Sequence, residues 1–84
     1  MTQFINMAEE AIESEETIQL EFFGRRDEYI LTTGVLFAVD IEDGIICLEG
    51  DRFHYSFKLT NWEYKNDAVI FDIEIGLLVF RKTS

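Results

Sequence analysis

Proline is absent from this chain, and with it goes the residue that most often blunts an exposed strand edge. Any sheet formed here must close its edges, cover them or pair them with another copy. A single cysteine, Cys47, excludes an internal disulfide and any cysteine-based zinc cluster. Between Ile46 and Leu48 it reads as a small buried hydrophobe, and a reducing, cytoplasmic setting is expected. The only histidine is His54. A metal site or a Cys/His nucleophile would need partners that only the fold could supply, so an outward-facing surface histidine is expected.

The longest unbroken apolar runs, around Val35 to Val39 and Leu77 to Phe80, fall far short of the ~20 residues of a membrane span. No basic segment opens the chain in the manner of a secretory signal, so neither secretion nor membrane insertion is expected. There is no glycine-rich phosphate loop, nucleophile elbow or basic anion cluster. Paired carboxylates are too common in an acidic chain to signal acid/base work. Asp40, Glu42, Asp43 and Gly44 open like a calcium loop, but no glutamate stands at the bidentate position, and a hairpin turn accounts for them. The expectation is a protein that is not an enzyme and takes no cofactor or metal.

Bases are scarce: 17 acids against 7 bases give a net charge of −10. Residues 1–49 carry 12 acids and 2 bases, whereas residues 50–84 carry 5 of each. The excess therefore lies entirely in the first half. A field of this sign repels nucleic acid and anionic membrane and attracts basic protein surfaces. Solubility alone is the competing explanation.

What the chain has in abundance is apolar surface: 48% of its 84 residues are hydrophobic and 14% aromatic. That composition suits one ordered domain, residues 1–84, with one modest core. Phe4, Ile5, Ala8, Ala11 and Ile12 share one helical face, with Thr2 as an acceptable N-cap, and predict a helix over about 3–14. From Thr17 the period becomes two, with Ile18, Leu20 and Phe22 on one side. Strands are expected at about 17–23, 28–41, 45–49, 52–65 and 68–81. The second would be ~43 Å long at ~3.3 Å per residue, too long to lie flat, so it should bend or bulge, with a bend expected near Thr33 and Gly34, and serve two sheets. Asp43-Gly44 is the strongest hairpin signal. In the fourth, Phe53, Tyr55, Phe57 and Leu59 alternate with Arg52, His54, Ser56 and Lys58; the phase then slips, which predicts a bulge or break near Thr60-Asn61. The fifth is either one kinked strand or two. The fold class is mostly β (α+β): a helix followed by about five antiparallel strands, as a small SH3/Sm-like barrel or a bent meander sheet.

Aromatics interspersed with bases over Arg52 to Lys65 also suggest a single-strand nucleic-acid platform. Alternation opposes this, because it turns Phe53, Tyr55 and Phe57 away from Arg52, His54 and Lys58 and into the core. Trp62 and Tyr64, after the phase slip, are the aromatics left to cap the core or to serve as binding hot spots.

One helix and about five bent antiparallel strands, with Gly34, Leu36, Asp40 and the apolar run from Ile45, resemble the Sm-like small barrels over roughly residues 16–49. That resemblance implies RNA binding, which the net charge opposes, or ring assembly. The segment from Gly24 to Gly34 is longer than that family's hairpin, and Gly44 stands where an RNA-contacting asparagine is expected.

Glu9, Glu10, Glu13, Glu15 and Glu16 crowd the C-terminal end of the predicted helix, where the helix dipole disfavours negative charge. Local stability did not select them. With Glu21, Asp40, Glu42, Asp43, Trp62 and Tyr64 they form the expected partner-binding set. The expected role is a stoichiometric inhibitor or modulator that engages a basic, nucleic-acid-binding protein surface, as a phage anti-defence or immunity protein would. The alternative is a self-assembling, ligand-binding or RNA-binding small barrel.

Overall fold

In the computed structural model, which describes residues 1–83, helix α1 (Thr2–Ser14) precedes seven strands. These are β1 (Thr17–Gly24), β2 (Tyr29–Glu42), β3 (Ile45–Gly50), β4 (His54–Lys58), β5 (Asn61–Lys65), β6 (Ala68–Ile73) and β7 (Gly76–Lys82). All pair antiparallel in one sheet of order β4-β3-β2-β1-β7-β6-β5. The mostly β class and the leading helix are as expected, and each element of the first half lies within a residue or so of its expected bounds. The strand count is higher because two long expected strands are each broken. The 52–65 segment breaks at Leu59-Thr60, where the phase slip lies, and the 68–81 segment turns at Glu74-Ile75. Met1, not Thr2, is the N-cap.

Six inter-strand steps of ~4.8 Å would place β4 and β5 ~29 Å apart in a flat sheet. Only Leu59 and Thr60 join Lys58 to Asn61, a reach of ~11 Å at most. The sheet therefore curls on itself until its two edges meet at this corner, which Thr60 pins by donating its hydroxyl to the Asp72 carbonyl. The edges are not laddered to each other, so the sheet stays unclosed.

Strand β2 serves both halves of the curl. Residues Tyr29 to Val35 pair with β1, and Leu36 to Glu42 pair with β3. The change of partner coincides with a bulge: Leu36 faces Gly50 and Ala38 faces Glu49, leaving Phe37 as the extra residue. The bend thus falls two to three residues after the Thr33-Gly34 position expected. At the other end of the sheet, Gly76 has φ 153°, and a Cβ there would lie 2.2 Å from the Phe23 carbonyl oxygen. Only glycine permits that backbone approach.

The inward side is the core. Ile18 and Leu20 of β1, Ile46 and Leu48 of β3, Val69, Phe71 and Ile73 of β6, and Leu78 and Phe80 of β7 are buried there. Helix α1 packs onto them with Phe4, Ala8 and Ala11, all fully buried. Two alanines let the helix axis come close, and Phe4 meets Phe71 and Phe80 edge-on, with centroids 4.9 and 5.3 Å apart.

Candidate functional site

The acidic residues fall into separate groups once the helix and sheet are assembled. Helix α1 ends in a left-handed Glu15 (φ 56°), with the Glu16 N–H donating to the Ala11 carbonyl and the Glu15 N–H to that of Ile12. This is a Schellman stop, a position that glycine ordinarily fills. Keeping a Cβ there costs ~1 kcal/mol. Glu15→Gly is therefore expected to stabilise the protein by about that amount in urea unfolding while removing one carboxylate from the surface. A destabilised variant would contradict this assignment.

Two of the helix-end carboxylates are engaged within the chain. Lys82, inward on β7 opposite Ile18, places its Nζ 2.7 Å from Glu10 and 3.7 Å from Glu16. The hydrogen bond that its ammonium donates to Glu10 holds Lys82 above its ordinary pKa. This tie fastens the helix end to the last strand and offsets part of the charge crowded at the negative end of the helix dipole. Glu9, Glu13 and Glu15 stay exposed and make no ion pair among the described residues.

Glu21 is also engaged internally. On the outward face of β1 it lies 3.5 Å from Arg81 and accepts the Tyr29 hydroxyl at 2.8 Å. That hydrogen bond raises the Tyr29 phenol pKa. A raised folded pKa means that the contact stabilises the fold while the phenol keeps its proton and is lost as pH rises through the raised value. In Glu21→Gln, Tyr29 is expected to ionise at lower pH, back toward the ordinary 10.0, as read from its ring resonances. An unmoved titration would rule the contact out.

Asp40 and Glu42 lie on the outward face of β2, opposite Cys47 and Ile45. Asp43 and Gly44 take left-handed conformations (φ 52° and 76°) in the turn beyond, the hairpin expected of that dipeptide. Trp62 is half-buried and points into the core, whereas Tyr64 is exposed and donates its hydroxyl to Asp67 at 3.2 Å. Desolvation and the Asp67 hydrogen bond raise the Tyr64 pKa. These two aromatics sit on β5, apart from the acidic hairpin.

The residue that joins the helix end to the acidic hairpin is Phe37. The bulge turns its ring outward, 58% exposed. It lines an open depression of about 380 Å³ with Ile12, Glu15, Val35, Leu36 and Asp51. Asp51 is fixed there because its Oδ1 accepts the Val35 N–H at 2.9 Å and its own N–H donates to the Val35 carbonyl at 3.0 Å. Gly34 makes room for it, since a Cβ would lie 2.5 Å from that Oδ1. An exposed phenyl ring is thus flanked by two carboxylates, with Asp40, Glu42 and Asp43 following along β2 over ~20 Å. Sequence reasoning missed Phe37 and Asp51. The available signal was the run Val35 to Val39, apolar at every position, which a strand with one wet face cannot hold without a bulge.

No protein-family profile matches the chain, and no curated protein or solved structure is significantly similar to it. Function must be argued from the surface itself. Among the described residues, no group of three or more His, Cys, Asp or Glu is placed to hold a metal ion, and no helix is long and apolar enough to cross a membrane. The expected small barrel or bent meander takes the form of seven antiparallel strands in one curled, unclosed sheet.

Proposed function

We propose that this chain is a non-catalytic acidic binding protein that engages a basic protein surface, with Phe37 as its apolar anchor and the carboxylates of Glu9, Glu13, Glu15, Asp51, Asp40, Glu42 and Asp43 around it. The observation that carries this reading is the bulge in β2, which exposes a large ring between Glu15 and Asp51. Aromatic anchors set among polar rims are how protein interfaces concentrate their affinity, while surface charges guide encounter. The partner class that fits a net charge of −10 is a nucleic-acid-handling protein, bound in the manner of a phage anti-defence or immunity protein. Glu10, Glu16 and Glu21 play a structural part through Lys82 and Arg81, and a cytoplasmic setting suits the lone, half-buried Cys47 thiol. Capture of the tagged protein from lysate at low and high salt tests this. A basic nucleic-acid-handling protein should be retained by wild type at low salt, released at high salt, and lost in Phe37→Ala. Equal retention by that variant would sink the reading.

A second reading, self-association, draws on a different observation. Phe23, Tyr29, Leu31 and Leu77 are all exposed on the outward face of the sheet, with Leu77, Phe23 and Tyr29 directly side by side across β7, β1 and β2. A patch of this kind on one wet sheet face marks an interaction surface. Sedimentation velocity should then show a dimer that Leu31→Lys converts to monomer. A wild type that is monomeric at high concentration removes this reading.

A further inference from the structure

The two edges of the curled sheet differ. Backbone ladder bonds alternate along an antiparallel pair. In the β3–β4 hairpin the Gly50 N–H donates to the Phe53 carbonyl and the Leu59 N–H to the Gly44 carbonyl. Residues 53, 55, 57 and 59 are therefore the ones bonded to β3, and the N–H and C=O groups of His54, Ser56 and Lys58 face away from it. No described residue takes them up. On the opposite edge the Trp62 N–H is already taken by the Asn61 side chain at 2.9 Å. Among the described residues the β4 edge keeps all three of these N–H groups free, and no proline guards it.

Beside that edge lies an apolar cleft of about 210 Å³, lined by Phe22, Ile30, Leu78, Ile73 and Ile75 on one side and by Tyr55, Ser56 and Phe57 of β4 on the other. Ile30 and Ile75, 52% and 65% exposed, are left open to solvent there. The cleft lies beside the unclosed edge, walled by β4 and by residues of β1, β2, β6, β7 and the β6–β7 turn. Tyr55 reaches from β4 to Thr32 of β2, hydroxyl to hydroxyl at 3.0 Å, and so ties the β4 wall of the cleft to its β2 wall.

We propose that the β4 edge and this cleft together bind an extended peptide segment of a partner protein by strand addition, with one bulky aliphatic or aromatic side chain seated in the cleft. The geometry is self-consistent. A strand laid along β4 alternates its side chains between the two faces, and the residue opposite Tyr55 or Phe57 points inward, toward the cleft. A volume of about 210 Å³ suits a single such group, since a cavity of ~150 Å³ already admits benzene. A second copy of this chain is a poor occupant. Its own β4 offers only His54, Ser56 and Lys58 outward, with Tyr55 and Phe57 turned into its core, so edge-to-edge pairing would leave the cleft empty. The site shares no residue with the acidic corner around Phe37, and the two can fail independently.

Selection of displayed random decapeptides against the full chain tests the proposal. Enriched peptides should carry a bulky apolar residue among β-forming neighbours, and the synthetic peptides should slow amide exchange at His54, Ser56 and Lys58. Ser56→Pro removes an edge-facing N–H without breaking the β3–β4 ladder, and Ile75→Asp spoils the mouth of the cleft. Each should weaken peptide binding at least tenfold. A peptide N-methylated at the residue facing Ser56 repeats the first test on unaltered protein, should the proline variant misfold. No enrichment, or peptides indifferent to all three changes, overturns the proposal. So does a dimer lost on Ser56→Pro, or a cleft that takes an uncharged naphthylamine dye but no peptide.

Discussion

Phe4→Ala should cost ~3–5 kcal/mol, the range for removing a buried phenylalanine without repacking. Phe4 is the one aromatic by which the helix enters the core, fully buried and edge-on to both Phe71 and Phe80. Its neighbours on the helix face, Ala8 and Ala11, have no side-chain length with which to fill the space. Domains of this kind hold only ~5–15 kcal/mol of stability in all. The melting temperature should therefore fall by ~12–40 °C, at ~4–8 °C per kcal/mol. Loss of less than ~1 kcal/mol would mean that the helix is not docked on β6 and β7.

The second large effect concerns binding, and it divides two contributions that an acidic surface usually confounds. Phe37→Ala removes the anchor and should speed dissociation at any salt concentration, with affinity falling about a hundredfold, as for an interfacial hot spot of ~2–3 kcal/mol. Changing Glu9, Glu13 and Glu15 together to glutamine should instead slow association at low salt and flatten the salt dependence. Neither change should lower the melting temperature, because Phe37 is exposed and none of the three glutamates is ion-paired among the described residues. The same triple change made at Glu10, Glu16 and Glu21 should do the reverse, since those carboxylates serve Lys82 and Arg81. If the two triple variants behave alike, the division of the acidic set into structural and surface members is wrong.

Most of the fold could be read from local pattern. Ile18, Leu20 and Phe22 declared a strand by their period, Asp43-Gly44 a hairpin, and the phase slip after Leu59 a break. Three features could not be read locally. The run Val35 to Val39 has no period to lose, so the bulge could not be placed at Phe37. The break after Leu59 gave no sign that β4 and β5 become opposite edges of one sheet, because that depends on β7 returning to pair with β1. Lys82 lies 72 residues from Glu10 in sequence, and only the return of β7 beside the helix end brings them together. The glutamates at the helix end therefore looked uniformly ill-placed, whereas part of the set is held internally and the remainder is presented to solvent.

The most direct test of the central claim is the affinity of the captured partner for wild type and Phe37→Ala, measured from low to high salt. Wild-type affinity should fall steeply with salt, and the variant should show a parallel line displaced to weaker binding at every salt concentration. Superimposed lines would show that Phe37 anchors nothing, and a flat wild-type line would show that the acidity of the first half acts only on solubility.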